Sequence, residues 1–407
     1  MKLEIIEIAY RLALIVVLFI FGSGCGQKST TDKSLEVKRF HWKYAGHQND
    51  KIREGIDSLV FNIEKGVYGF IDEVFIAKND TIFFHEKFNL DYDTISKDKV
   101  GKMGCGSNMC KDSGDIHIYN YYHPKFHPYH LNSDLHTLQS ITKSVTSSIV
   151  GTAINSGHIS SVNEIILPHF SDFELSDTVK KHLESVTLQH VLTMQLGLKW
   201  QEFGLSLEME NNVTEMELSE DWITYALNQP IESTPGTAWN YNSGASQMLS
   251  QIIKSASGKT IDKFAEEHLF KTLDIDEYFW KKTPTGLPDT EGGLYLKAED
   301  LAKIGLLYLQ DGLWDDEQLL PKNFCKDALQ KHVVDIYGDG GKEGYGYQWW
   351  LTGDEPPMPV GLGYGNQILL IIPDQKIIAI VLAWNVFDND GKYIFSDLVE
   401  SANTLTQ

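Results

Sequence analysis

The sequence predicts an α+β layer fold, with a sheet assembled from pieces near both ends of the chain and a helical lobe inserted between them. Two observations carry this. Apolar and β-branched runs with short polar connections occur after residue 70 and again after residue 340. The stretch between, roughly 140 to 290, sets apolar residues at helical spacing, punctuated by Gly and Pro. No repeat of solenoid length is present, so the strands of the two ends must pair across the lobe.

The N-terminus stands apart from the fold. Leu12 to Phe21 is an uncharged apolar run, short for a bilayer span, followed by Gly22-Ser23-Gly24 and Cys25. This resembles the signal of bacterial lipoproteins, which implies a signal peptide over 1–24, lipidation of Cys25 and a polar tether over 25–42. The expected localisation is exported, at the periplasm or cell surface, with a membrane partner through the lipid anchor. A plain cleaved signal, an uncleaved anchor and a buried helix are the other readings of the run.

From Lys51 to Lys65, Ile52, Ile56, Leu59, Val60 and Ile63 fall at helical spacing. Val74–Ala77 and Thr81–Phe84, joined by Lys78-Asn79-Asp80, predict a hairpin. Residues 98–115, rich in Gly, Ser, Lys and Asp, predict a loop. At the other end, Tyr345–Leu351, Gln367–Ile372 and Ile377–Trp384 predict strands, and 391–405 a last amphipathic segment.

Composition narrows the partner class. Thirty-five Lys and Arg against 56 Asp and Glu give a formal charge of -21, which repels a phosphate backbone and argues against nucleic acid. A small-molecule substrate stays open, and the oligomeric state is not legible. Cys105 and Cys110 are close enough to pair in an oxidising compartment. His123, His127 and His130 supply the nearest metal-ligand types, but the intervening prolines deny them a shared helical face, so an exposed loop is the preferred reading and no metal is assigned. Ser257-Gly258-Lys259-Thr260 mimics the tail of a phosphate-binding loop without its upstream glycine or strand.

Ser-x-x-Lys places a hydroxyl and an amine on one helical face. It occurs twice. Ser96 and Lys99 lie among charged residues, where the amine stays hydrated and protonated and cannot accept a proton. Ser140 opens a segment in which Ile141, Val145, Ile149 and Ala153 share a face, ended by Gly157, so Lys143 can be buried. Desolvation would lower its pKa and make it a base for the Ser140 hydroxyl. The bland alternative is a serine that merely caps the helix.

Five blocks in order extend that pair: Ser140-Ile-Thr-Lys143-Ser, Val186-Thr-Leu-Gln-His-Val-Leu-Thr-Met-Gln-Leu-Gly-Leu, Pro235-Gly-Thr-Ala-Trp-Asn-Tyr241-Asn-Ser243-Gly, Gly292-Gly-Leu-Tyr-Leu-Lys-Ala-Glu-Asp-Leu-Ala and Gly363-Tyr364-Gly365-Asn-Gln367. Together, from about residue 50 onward, they resemble the serine β-lactamase-related family, which includes class C β-lactamases, penicillin-binding peptidases, esterases and aminohexanoate-oligomer hydrolases. The resemblance implies a β-lactamase/transpeptidase-like fold over 43–407, an antiparallel sheet flanked by helices with a helical lobe inserted. It also implies a serine hydrolase that forms an acyl-enzyme without a cofactor. Ser140 would be the nucleophile, Lys143 its base and Tyr241 a proton carrier with a lowered pKa. Ser243, Tyr364, Gly365 and Gln367 would bind substrate, and the Gln367 N–H would complete the oxyanion hole. Tyr364 stands where penicillin-recognising relatives carry a lysine, which tilts the expected substrate towards a non-β-lactam amide or ester. A true β-lactamase or D-alanyl-D-alanine carboxypeptidase, and a non-catalytic sensor on the same fold, are the alternatives.

Overall fold

The structure is a computed structural model and describes residues 40–45, 50–88, 90–91, 94–95, 133–202, 211–385 and 391–404. The expectations on 1–24, Cys25, Ser96 and Lys99, Cys105 and Cys110, and His123, His127 and His130 lie outside the described residues. Everything described falls in one unit that starts at Phe40. Phe40 and Trp42, expected in the tether, belong to this body: the Phe40 N–H donates to Asp274 Oδ2 at 2.8 Å and the Trp42 ring meets Phe75 at 5.3 Å.

Near the N-terminus lie β1 (Lys43–Tyr44), β2 (Ile71–Lys78) and β3 (Thr81–Lys87). The middle carries β4 (His136–Thr137), β5 (Phe279–Trp280) and β6 (Leu294–Leu296), a three-stranded sheet, and the pair β7 (Leu313–Trp314) and β8 (Glu317–Gln318). The C-terminal part adds β9 (Val333–Val334), β10 (Gly344–Tyr345), β11 (Trp350–Leu351), β12 (Pro359–Gly363), β13 (Gln367–Ile372) and β14 (Ile377–Ala383). Among the described residues the main sheet has nine strands in the order β1-β3-β2-β14-β13-β12-β11-β10-β9, antiparallel except where β1 meets β3. The two ends of the chain therefore meet at β2 and β14, as their apolar runs require. Both are buried nearly throughout, so neither shows the alternation of a half-exposed strand.

Two layers of helix cover this sheet. Helices Asp50–Glu64 and Phe395–Thr404 pack over one face through Ile56, Leu59, Ile63, Leu398 and Ala402. On the other face lie helices Ile141–Asn155, Ser243–Ser257 and Ala298–Leu309, whose apolar residues form the larger core. Helix Ile141–Asn155 is buried all round as far as Ala153, and not along the single apolar face that its spacing suggests. Its internal hydroxyls make this possible by bonding back to the helix, Ser148 to the Ser144 carbonyl at 3.1 Å and Thr152 to the Ser148 carbonyl at 3.0 Å.

Two strand expectations change. Tyr345–Leu351 is not one strand: β10 and β11 are separated by a turn in which Gln348 takes φ +62°. β12 is a strand that periodicity does not predict, because the proline and glycines of Pro-Val-Gly-Leu-Gly carry no strand signal. Ser257 ends helix Ser243–Ser257, which Gly258 closes at φ +74°, and Thr260 precedes the next helix, Ile261–Ala265, so this segment follows a helix and not the strand that a phosphate-binding loop requires. Among the described residues no helix is long and apolar enough to cross a membrane.

Candidate active site

A strained link places Ser140. The Leu138 N–H donates to the Leu294 carbonyl at 3.0 Å, tying the segment to β6, and Gln139 then turns the chain at φ +49°. A non-glycine residue holds such a φ only when its surroundings fix it. Here the buried Gln139 side chain donates to Thr137 Oγ1 at 2.8 Å. Ser140 emerges at the head of helix Ile141–Asn155 and its side chain makes no capping bond, so the reading of Ser140 as a mere cap falls away.

One turn further, Lys143 is 1% exposed. Its Nζ lies 3.0 Å from Ser140 Oγ, 2.7 Å from the Glu291 carbonyl and 3.3 Å from Glu291 Oε2. Nζ also sits 5.1 Å from the centre of the Tyr241 ring, and the Tyr241 hydroxyl hydrogen-bonds with Ser140 and Lys143. The loop carrying Tyr241 is fixed on both sides. Asn240 Nδ2 donates to the Leu198 carbonyl at 3.1 Å, and Asn242 Oδ1 accepts the Ala245 N–H at 2.8 Å, capping helix Ser243–Ser257. The Tyr241 ring stacks on Trp350 at 5.1 Å. Of the tryptophan pair, Trp349 is core and Trp350 backs the tyrosine.

The remaining sequence-predicted residues are redistributed. Ser243 is buried, and its N–H and hydroxyl both donate to the Glu202 carboxylate, at 2.9 and 2.8 Å, so it holds a neighbour instead of presenting a group to substrate. Tyr364, Gly365 and Asn366 form the turn between β12 and β13, with Gly365 at φ +81° and Asn366 at φ +68°; Tyr364 is exposed. Gln367 lies on β13 with its side chain buried, bonded to the carbonyls of Tyr364 and Gly365 at 3.2 Å and exchanging bonds with the Ala383 backbone. The strand that crosses the Ser140 helix is β12. A Cβ on Gly361 would lie 3.2 Å from Ile141 and Ser144 side chains, and one on Gly363 only 2.5 Å from the Leu138 carbonyl oxygen and 3.0 Å from Gln139 Cβ. Glycine here allows the backbone to approach the residue before Ser140. The backbone that approaches Ser140 is thus the Gly363 end of β12, while the Gln367 side chain is turned towards Ala383.

Sequence reasoning missed three polar residues, Gln348 and Glu291, which are buried, and Glu202, which is partly so. Gln348 accepts from Ser144 through its carbonyl at 2.8 Å and from Ser246 through Oε1 at 2.6 Å, so it joins the Ser140 helix to helix Ser243–Ser257. Glu202 and Glu291 face Lys143 from two different loops. Burial works to neutralise Lys143, as its sequence suggests, but the Tyr241 oxygen, ionised only in the alkaline range where the lysine itself titrates, and the Glu291 and Glu202 carboxylates outweigh it and the pKa ends above that of an ordinary lysine. Burial raises the Tyr241 pKa, and Glu202 adds to this against the opposing pull of Lys143. Both expectations of a lowered pKa are corrected: at neutral pH the resting site holds an ammonium beside a neutral phenol. Nothing in a Ser-x-x-Lys spacing signals carboxylates that arrive from sixty and nearly 150 residues away.

Behind Glu291 lies further charge. The carboxyls of Glu217, Asp289 and Glu291 come within 4.8 Å of one another in the core. Lys143 faces Glu291 at 3.3 Å and Lys281 faces Asp289 at 3.7 Å, so ammonium groups of the chain already supply positive charge. On the other side of Trp350 a cavity of about 540 Å³ opens, walled by Tyr337, Trp350, Leu362, Tyr393 and Phe395. Its wall is largely aromatic and apolar, and Trp350 is common to this wall and to the stack on Tyr241.

A profile of the Beta-lactamase family matches residues 112–393, well over half of the chain. The chain belongs to the Beta-lactamase family. Among curated proteins it is similar to a 6-aminohexanoate-dimer hydrolase of Paenarthrobacter ureafaciens, 25% identical over 285 residues that cover 65% of this chain and 69% of the relative. Among solved structures, a Bacillus anthracis protein provisionally described as a 6-aminohexanoate-dimer hydrolase superposes with TM-score 0.64 at 18% identity, over 91% of this chain and 87% of the other. EstCE1, a hydrolase with promiscuous acyltransferase activity, gives 0.61 at 12% identity over 88% and 99%. A penicillin-binding protein of Bacillus halodurans gives 0.56 at 16% over 87% and 99%. The fold is thus β-lactamase/transpeptidase-like, and this member of the Beta-lactamase family has hydrolases among its relatives.

Proposed function

We propose that this chain is a serine hydrolase that opens a small amide or ester through an acyl-enzyme on Ser140. The observation that carries the reading is the 3.0 Å contact between Lys143 Nζ and Ser140 Oγ, with the Tyr241 hydroxyl bonded to both. When the coupled Lys143–Tyr241 pair has lost one proton it can take the Ser140 proton as Oγ attacks a carbonyl. The oxyanion would lie between the Ser140 N–H, at a helix N-terminus, and an N–H from the Gly363 end of β12. Tyr241 then returns the proton to the leaving group and water releases the acyl group. Residues 359–366 of β12 and its turn contain no Lys or Arg, which supports a substrate without a carboxylate at that point.

Intact mass after treatment with a fluorophosphonate tests this: one adduct on the parent and none on Ser140→Ala is expected, and an unmodified parent overturns the reading. Tyr241→Phe keeps the ring stacked on Trp350 and removes only the proton carrier. Its kcat/KM is expected to fall by roughly 10²–10⁴-fold for an amide. The loss should be smaller for a p-nitrophenyl ester, whose leaving group needs no proton, and equal losses on both would remove Tyr241 from that step.

We further infer export, with Cys25 as the lipid attachment point, on the strength of the apolar run Leu12–Phe21 and the small residues before Cys25. Fatty-acid labelling in a bacterial host should mark the parent and not Cys25→Ser, with the variant recovered in the soluble fraction. Equal labelling of both proteins would reject the assignment.

A further inference from the structure

Lys143 needs two things to serve Ser140, a fixed position and a defined charge, and both come largely from one residue. Nζ meets Glu291 twice, at its carbonyl at 2.7 Å and at its carboxylate at 3.3 Å. Glu291 is itself held. The Asp289 carboxylate accepts the Glu291 and Gly292 N–H groups at 3.1 and 3.0 Å, and Gln247 Oε1 accepts the Thr290 N–H at 2.9 Å. The turn 289–292 is therefore rigid where it meets the lysine.

On these contacts we infer that Glu291 is a positioning residue for the reaction at Ser140: its carboxylate holds the Lys143 ammonium against the nucleophile and sets the pH above which Ser140 becomes reactive. The inference rests on Ser140 being the nucleophile, as proposed above. Its particular content is the Glu291 side chain, since the backbone carbonyl would be present with any residue.

The groups around this pair fix the sign. Lys143 is faced by Ser140 on its own helix, by Tyr241 and Glu202 from two loops and by Glu291. Glu291 is faced in turn by Lys143, Lys281 and Glu217, with Asp289 beneath it. Glu217, on helix Asn212–Leu218, is pushed by burial well above the ordinary carboxyl range, and its carboxyl lies within 4.8 Å of those of Glu291 and Asp289. Despite its own burial Glu291 is kept below the ordinary range, chiefly by Lys143, and carries the negative charge. A negative charge at 3.3 Å stabilises the ammonium and raises the pH at which the Lys143–Tyr241 pair loses its proton. Removing that charge must move the loss to lower pH.

The test is the rate of Ser140 labelling by a fluorophosphonate as a function of pH, for the parent, Glu291→Gln, Glu217→Gln and Ser140→Ala. The parent is expected to gain reactivity along a limb centred on the alkaline side of neutrality. Glu291→Gln, near in shape and without the charge, should move that limb down by about 1–3 pH units and label faster than the parent at neutral pH. Glu217→Gln alters a carboxyl that meets Glu291 and not the lysine, and should move the limb by less than Glu291→Gln does. Coincident limbs for Glu291→Gln and parent, or a folded Glu291→Gln that labels at no pH, overturn the inference. Should Glu291→Gln fail to fold by near-UV circular dichroism, the parent decides: a limb centred below neutrality overturns the inference and an alkaline one supports it. Failure of the underlying reading looks different, because the parent then takes no label or Ser140→Ala takes as much as the parent.

Discussion

Ser140→Ala is expected to lower turnover of an amide or ester by on the order of 10⁴–10⁶-fold while leaving the fold intact, because removing a nucleophile that acts as one unit with its base forfeits the whole unit. The structural cost should be slight. Ser140 is only partly buried, caps nothing, and gives Lys143 one contact at 3.0 Å where Glu291 gives two. Helix Ile141–Asn155 keeps its core residues Ile141, Val145, Ile149 and Val150, each fully buried and each contributing roughly 1.5–3 kcal/mol. Thermal unfolding should therefore move little, and substrate should still bind through β12 and the cavity beside Trp350. Steady-state kinetics with an active-site titration of the parent checks this. A variant that retains more than a few per cent of parental kcat would point to another nucleophile, and one that has lost its unfolding transition would point to a structural serine.

The elements that were legible in the sequence are those whose burial follows from local periodicity. Ile141, Val145, Ile149 and Ala153 announce the helix that presents Ser140, and Ile377–Ala383 and Gln367–Ile372 announce strands, because apolar residues in these places have only one way to leave water. β12 was not legible. Its Gly361 and Gly363 lack side chains so that the strand can pass within contact of the Ser140 helix, and the absence that makes the site possible erases the strand signal. The position of Ser140 and Lys143 at one turn's spacing was legible, but the charge on the lysine was not, since it depends on Glu291 and Glu202 brought in by tertiary structure. Ser243 shows the same limit from the other side. The spacing from Tyr241 suggests a group turned to substrate, whereas the fold turns it inward to hold Glu202, a carboxylate that no local motif connects with Lys143.

Lys143→Met should be the most damaging single change to both stability and activity, and its pH dependence separates the two. Activity is lost because no amine remains to exchange a proton with Ser140 or Tyr241. Stability falls because Glu291 and Glu202 lose the ammonium they share in the core; breaking a buried pair costs about 3–5 kcal/mol. In the parent Lys143 has a folded-state pKa above its unfolded value, so its contribution is complete at neutral pH and fades only as pH rises through the alkaline range. In the variant the Glu291 carboxyl, now without its largest stabilising charge, has a folded pKa above the unfolded one. The unfolded chain then ionises first as pH rises from about 4.5, the ordinary Glu value, and each further unit favours unfolding. The deficit relative to the parent should thus be small in mild acid and grow towards pH 7, as urea unfolding at several pH values would show. The double variant Lys143→Met/Glu291→Gln removes the orphaned charge and should recover much of that loss at neutral pH without recovering any activity. A deficit independent of pH, or a double variant less stable than the sum of its parts, would mean that Lys143 stabilises the core through packing of its stem and not through the charge it shares with Glu291.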